Sequence, residues 1–493
     1  MPPRSDETRF GRRRGIGVDT QAWCTMSEQP SRTRRRLLQT LGAAGLGALA
    51  GCASLDGPSQ DGDTPSITSK TPPADPADYE ATVRAASGTV QPGGDLASET
   101  WVYNDQFPGP ELRAKAGDVV AFELQNELPA ETTIHWHGVP VANEMDGVPQ
   151  VTQQPVAGGE SFTYKFRAEP PGTYFYHSHV GLQLDRGLFG PLIIEESDPH
   201  VEYDREYTIV LDDYLTREPQ PLFGEDSFGS GGMMGTQRPP YAGLLVNGRS
   251  AADPAVFDVR EGERVRLRFI NASSATLFQV QLGGHPMTVS HADGRPVDPV
   301  TVDGFQFGSG ERYDTILEAT NPGTWEIRAT PLNGSEPPAR AAITYDGVEP
   351  SSPVGPSQSN NLLSYGDLRA RSPLSGVSGN PDRTFDLSLS PGGPSGQWLI
   401  DGQAYPEADP LQIRSGEHVR VRMTNQSPVP HPMHLHGHFF QVGDAVKDTV
   451  VVPGHMGQET FDFVADNPGD WLFHCHNLYH LEAGMARVIE YVD

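Results

Sequence analysis

Gly416-Glu-His-Val-Arg-Val-Arg-Met-Thr-Asn425 is a phrase with a simple grammar: a turn glycine, an alternating strand and a closing asparagine. It recurs at Gly117-Asp-Val-Val-Ala-Phe-Glu-Leu-Gln-Asn126 and at Gly262-Glu-Arg-Val-Arg-Leu-Arg-Phe-Ile-Asn271, so the copies stand 145 and 154 residues apart. A second phrase follows each one: Pro171-Gly-Thr-Tyr-Phe-Tyr-His177-Ser-His179, Pro322-Gly-Thr-Trp-Glu-Ile-Arg328-Ala-Thr330 and Pro468-Gly-Asp-Trp-Leu-Phe-His474-Cys475-His476. Two phrases recurring at matching offsets describe three tandem copies of one domain. Short alternating runs such as Val119–Leu124 and Val419–Met423, in a chain with 54 Gly and 45 Pro, predict an all-β fold of antiparallel sandwiches or barrels. The boundaries expected are 79–196, 197–350 and 351–493, with a Pro-rich junction at Val348–Pro356.

Upstream of the first copy the chain reads as an address. Arg34-Arg35-Arg36-Leu-Leu-Gln is followed by a small apolar run from Thr40 to Ala50 and by Leu49-Ala-Gly-Cys52. Twin arginines before a short apolar core resemble a twin-arginine export signal, recognised by the export machinery of that name. Leu-Ala-Gly-Cys resembles a lipoprotein box, which makes Cys52 the expected lipidation site and the lipid the only membrane attachment. Met26 lies at a normal distance before Arg34, so residues 1–25 read as an over-extended start. Residues 53–78 are Pro, Ser, Asp and Gly with little to bury, a tether between anchor and fold. The expected location is the outer face of the cell membrane, or the medium.

Charge excludes some partners. The chain carries 36 Lys+Arg and 64 Asp+Glu, and beyond residue 52 the count is 27 against 60. Such a chain repels phosphate backbones, which excludes nucleic acid. Only Lys70, Lys115, Lys165 and Lys447 are lysines, and this acidic, lysine-poor composition resembles the halophilic proteins of salt-loving archaea. Of three cysteines, Cys24 precedes Met26 and Cys52 carries lipid, which leaves Cys475 without a disulfide partner.

The chemistry lies where the repeats differ. The outer copies of the second phrase end in His-x-His, the middle copy in Arg-x-Thr. Two further pairs stand in His135-Trp-His137 and in His431-Pro-Met-His434-Leu-His436. Alternate residues of a strand share a face, so each pair presents two imidazoles to one side. Eight imidazoles divided equally between the first and last domains suit a multinuclear metal site between them. Cys475, flanked by His474 and His476, faces the other way. With His431, His480 and Met485 it makes a Cys-His-His set with a weak axial thioether, the ligand set of blue copper centres.

These four motifs, in this order, resemble those of the multicopper oxidases, specifically the three-domain laccase-like branch, across essentially the whole of the chain after the tether. The resemblance implies cupredoxin-like Greek-key domains and four copper ions. A type 1 copper would take His431, Cys475, His480 and Met485. A type 2 copper would take His135 and His434, and a type 3 pair His137, His177, His179, His436, His474 and His476. It further implies that single electrons drawn from a donor at the type 1 copper reduce dioxygen to water at the three-copper cluster. Asp146, nine residues after His137, stands where the family places a proton-delivering aspartate. Bacterial relatives also carry a glutamate directly after the second type 1 histidine. Here that residue is Leu481, and Glu482 is the nearest carboxylate.

The donor expected is phenolic or a similar small organic reductant, with Cu(I), Fe(II) or Mn(II) as the alternative and a Cu(I) oxidase for copper tolerance as the rival function. A copper nitrite reductase would carry its cysteine-containing site in the first of two domains, and copper-free structural relatives have lost the histidines. Met233-Met234 is the one hint of soft-metal capture. His200, His285, His291, His418, His438 and His455 are read as packing or surface residues. Asn271, Asn333 and Asn425 match the glycosylation acceptor pattern. Three domains in one chain already enclose the cluster, so a monomer suffices.

Overall fold

The computed structural model describes residues 70–222, 238–349, 351–358, 361–392 and 396–492, all within one compact unit, Pro65–Asp493. The export signal, Cys52, most of the tether and Met233-Met234 lie outside the described residues. Six sheets follow one another in pairs. Strands Tyr79–Val90, Ser98–Tyr103, Val119–Asn126 and Ser161–Arg167 form one four-stranded sheet. Leu112–Lys115, β1 (His135–His137), β2 (Gly172–His177) and Phe189–Glu195 form the sheet that faces it. Two six-stranded sheets span Arg205–Tyr214 to Leu362–Leu363 and include β3 (Arg312–Glu318). The last pair runs from Arg383–Pro391 to Ala486–Tyr491. It includes β4 (His431–Leu435), β5 (Thr449–Val452) and β6 (Asp470–Cys475), followed by α1 (Leu478–Glu482).

The repeated phrases occupy equivalent places three times. Strands Val119–Asn126, Arg264–Asn271 and His418–Asn425 each lie antiparallel to the strand that precedes the second phrase: Ser161–Arg167, Arg312–Glu318 and Gln458–Val464. On the other side each lies parallel to the first strand of its domain, with registers Tyr79↔Val120, Arg205↔Val265 and Arg383↔Val419. Most neighbours are antiparallel, as expected, and these pairs are parallel. Between the two parallel strands the chain crosses to the other sheet and back, and such a crossover permits parallel neighbours.

The closing asparagines explain the first phrase. Asn126 Nδ2 donates to Ala130 O and Val156 O while its Oδ1 accepts from Leu128 N–H. Asn271 does the same with Thr276 O, Phe307 O and Ser273 N–H, and Asn425 with Val429 O, Val452 O and Ser427 N–H. Each pins the loop that launches the next strand. The glycosylation reading fails at Asn271 and Asn425, since both are fully buried with their amides engaged. At Asn333 the amide donates to Ala275 O.

Nine and eleven residues beyond Asn126 and Asn425 stand His135/His137 and His434/His436; beyond Asn271 they are Val280 and Leu282, both in the middle core. One scaffold position therefore carries metal-ligand chemistry in the outer domains and apolar packing in the middle one. Each pair of sheets encloses its own core, built on Phe122 and Trp136, on Phe269 and Phe305, and on Phe461 and Phe473. No helix among the described residues is long and apolar enough to cross a membrane.

Candidate metal centres

Strand pairing sets His135 opposite His177 in the first domain and His434 opposite His474 in the last. The two domains bring these faces together. The His135 and His436 ring centroids lie 3.9 Å apart, His137 stacks on His434 at 3.8 Å, and His179 meets His474 at 5.2 Å. All eight predicted histidines thus share one cluster, and each is buried except His179, which is partly so.

Hydrogen bonds fix which nitrogen faces inward on most of the rings. His135 Nδ1 donates to Asp146 O at 2.9 Å, His177 Nδ1 to Ser178 O at 2.9 Å and His474 Nδ1 to Cys475 O at 2.9 Å. His434 Nδ1 donates to Asp448 O at 2.9 Å and His436 Nδ1 to the Asp146 carboxylate at 3.0 Å. His137 is reversed: its Nε2 lies 3.2 Å from Thr449 Oγ1, so its Nδ1 points in. The atoms His135 Nε2, His137 Nδ1, His177 Nε2, His179 Nε2 and His434 Nε2 and both nitrogens of His476 are buried without partners, and His436 Nε2 and His474 Nε2 face each other at 3.0 Å. A buried unpartnered polar atom costs about 1–3 kcal/mol. Together these atoms would cost as much as the whole net stability of a domain, about 5–15 kcal/mol. Lone pairs converging in this way fit metal ions and little else.

Electrostatics agree. Burial, reinforced by neighbouring imidazoles, holds His137, His179, His434 and His436 far below the usual histidine range; burial also holds His177 and His476 there and takes His474 down to about 3. These seven rings are neutral at ordinary pH, the form that binds a metal.

On the other face of β6, Cys475 Sγ lies 3.6 Å from His431 Nδ1 and 3.5 Å from His480 Nδ1, and those two nitrogens are 3.1 Å apart. Met485 is fully buried beside them, its carbonyl accepting from Cys475 N–H. Burial pushes the free thiol up and the two imidazoles down, His431 to about 3. A bound cation would reverse the first effect, because a thiolate ligand needs a counter-charge. His431 Nε2–H donates to Ser427 Oγ, which itself donates to Asn425 Oδ1, so the phrase asparagine also orients this ligand. His480 Nε2 is buried and unpartnered under the Trp398 ring, whose centroid is 4.3 Å away.

A cavity of about 330 Å³ lies against His177, His179, His474 and His476, with Leu481 and Glu482 in its wall. Burial raises the Glu482 carboxyl. Asp146 is fully buried, with its carbonyl oxygen on His135 and its carboxylate on His436.

Of the six histidines read as packing or surface, His285, His291, His418 and His438 are buried in hydrogen bonds to Tyr345, Glu196, Asp462 and Tyr491. Sequence reading passed over Ser427, Trp398 and Asp448. Asp448 alone had a signal, since it follows His434 by 14 residues as Asp146 follows His135 by 11.

Three family profiles described as multicopper oxidase match residues 84–199, 205–347 and 378–493. Multicopper oxidase MmcO of Mycobacterium tuberculosis is 35% identical over 445 residues, covering 84% of this chain and 87% of that protein. Copper resistance protein A of Escherichia coli is 27% identical over 535 residues, covering 78% and 88%. Among solved structures, the laccase from Botrytis aclada superposes with a TM-score of 0.73 at 26% identity, covering 84% of this chain and 88% of that one.

Proposed function

This chain belongs to the multicopper oxidase family, and we propose that within it the protein is a laccase-like oxidase of phenolic donors. It is a copper-dependent oxidoreductase that uses dioxygen. The observation that carries the oxidase reading is the position of Cys475, one peptide bond from His474 and one from His476; the phenolic donor rests on the Trp398 ring over His480. Two ligand sets of different chemistry share a single strand, so a few covalent bonds separate the site suited to single electrons from the site suited to collecting them. His431, Cys475, His480 and Met485 would hold the type 1 copper. His135 and His434 would hold the type 2 copper, and His137, His177, His179, His436, His474 and His476 the type 3 pair. When bound, the four ions supply one-electron oxidation at the first site and four-electron reduction of dioxygen to water at the second.

The chain's own groups supply the rest. Asp146 orients the His135 and His436 rings, and its Oδ1, 3.2 Å from His135 Nδ1 and without a hydrogen bond of its own, leaves an acceptor position beside the cluster for the proton delivery that dioxygen reduction needs. Glu482, in the wall of the 330 Å³ cavity, is the second such group. Trp398 covers His480 and is itself half-buried, an aromatic platform over the outermost type 1 ligand that favours flat aromatic donors.

A second reading, an oxidase of Cu(I) serving copper tolerance, is favoured by the likeness to a protein named for copper resistance. The wider proposal includes export by the twin-arginine machinery, lipid attachment at Cys52, life in brine, function as a monomer, and domains at 79–196, 197–350 and 351–493. The test is to load the protein with copper in high salt, count copper per chain, record the blue band and the near-ultraviolet shoulder, and follow oxygen uptake. About four coppers with faster uptake on a phenol supports the laccase-like reading. Faster turnover of Cu(I) selects the second, and absence of both bands sinks both.

A further inference from the structure

The middle domain supplies no histidine to the cluster, yet it touches it. Arg312, on β3, is fully buried and reaches into the seam between the outer domains. Its Nη1 and Nη2 donate to the two oxygens of Asp448 at 2.7 and 2.6 Å, and its Nε donates to Thr173 O of the first domain at 3.2 Å. Asp448, also fully buried, reaches His137 through Thr449: the Thr449 hydroxyl accepts from His137 Nε2–H at 3.2 Å and donates to Asp448 Oδ1 at 2.9 Å, with that carboxylate oxygen itself 3.3 Å from Nε2. Its carbonyl accepts from His434 Nδ1–H. One residue of the last domain thereby orients a ring from each side of the stacked His137–His434 pair, and a guanidinium from the middle domain sets its plane.

Space around the pair is reserved for it. Gly138, next to His137 at φ +84°, has no room for a side chain: a Cβ there would come 2.4 Å from Arg312 Nη2 and 2.5 Å from Asp448 Oδ2. Gly310, at φ +91°, accepts from Arg312 Nη1 through its carbonyl, and a Cβ on it would press on His137 and His476 at 3.0 Å. A second support stands behind: Asp293 Oδ1 accepts from Arg312 N–H, and its Oδ2 accepts from the backbone N–H groups of Asp448 and Thr449.

We propose that Arg312 is a positioning residue of the eight-histidine copper site, holding Asp448 so that His137 presents Nδ1 and His434 presents Nε2 inward. The proposal rests on the copper reading above. A metal-bound histidine needs a fixed acceptor on its other nitrogen, and losing such an outer partner costs about 10–100-fold in metal affinity. Only a guanidinium offers the planar fork that grips both carboxylate oxygens, so lysine is no substitute.

The test compares copper-loaded wild type with Arg312→Met, Arg312→Lys and, as a structural control, Arg266→Met. Arg266 is equally buried in the same domain but pairs with Asp314 and Glu196. Arg312→Met should keep the blue band of the cysteine site, lose the near-ultraviolet shoulder and release cluster copper to a chelator about 10–100-fold more readily. Arg312→Lys should remain impaired, while Arg266→Met lowers the melting temperature and keeps both bands. A full shoulder and chelator competition within about twofold of wild type in Arg312→Met would overturn the proposal. If that variant shows no blue band, Arg312→Lys is judged by the same two criteria. A wild-type chain that takes up no copper overturns the copper reading and this inference with it.

Discussion

The first and last domains hold their histidine pairs in nearly the same way, and the carboxylates beside them differ. Asp146 accepts His135 of its own domain on its carbonyl oxygen and His436 of the other domain on its carboxylate. Asp448 mirrors this with His434 on its carbonyl oxygen and His137 near its carboxylate. Asp448, however, is gripped on both oxygens by Arg312, whereas Asp146 Oδ1 lies 3.2 Å from His135 Nδ1 and accepts no hydrogen bond. The same brace is therefore closed on one side and open on the other. A carboxylate gripped on both oxygens is fixed in one plane, whereas one with an oxygen left over keeps an acceptor position open beside the cluster.

Four measurements break or sharpen that contrast. The largest effect sets its scale: Cys475→Ser removes the thiolate that feeds both halves, and should abolish the blue band and cut turnover at least about 1000-fold. A blue mutant would refute the assignment. Next, Asp146→Asn should lower kcat about 100-fold or more, within the range of general acid catalysis, with copper content and both bands unchanged. Asp448→Asn should instead weaken cluster copper about 10–100-fold; if the two variants behave alike, the contrast fails.

The third measurement asks what the halves share, the neutral buried rings. With folded pKa values below the unfolded value of about 6.5, these histidines leave the unfolded state holding more protons below that pH. Stability of the copper-free protein is then fully present above about pH 6.5 and falls as the pH drops toward 3, the value for His431 and His474, by about 1 kcal/mol per histidine per pH unit. Denaturant titrations from pH 7 to 5 check this, and a flat profile would sink it. The smallest effect lies away from the cluster: Trp398→Leu should raise KM for phenols about threefold to tenfold, the cost of a lost aromatic contact, and leave KM for Cu(I) unchanged. Equal changes in both would remove Trp398 from donor selection.

Much of this molecule was open to reading before any fold was seen. The two phrases recur because each domain reuses one strand and one asparagine-pinned loop, and the His-x-His pairs are legible because strand alternation is a local rule. Asp146 was visible only through resemblance, and its geometry supports the reading. The parallel pairings were not legible, since a crossover between sheets leaves no mark in alternation. Nor was the burial of Asn271 and Asn425, whose acceptor pattern looks like a surface signal until their amides are seen bonded to four carbonyls.

The sequence by itself determined the repeat, the strand character, the ligand types and the separation of Cys475 from its histidine neighbours onto opposite faces. All of these follow from spacing along one strand, where alternation decides direction. Only the tertiary structure decided which ring nitrogens turn inward, which carboxylate is free, and that a domain without metal ligands reaches the cluster through Arg312. The ring nitrogens are set by acceptors whose placement no strand rule gives, and the Arg312–Asp448 contact joins residues 136 positions apart, brought together by how three domains pack.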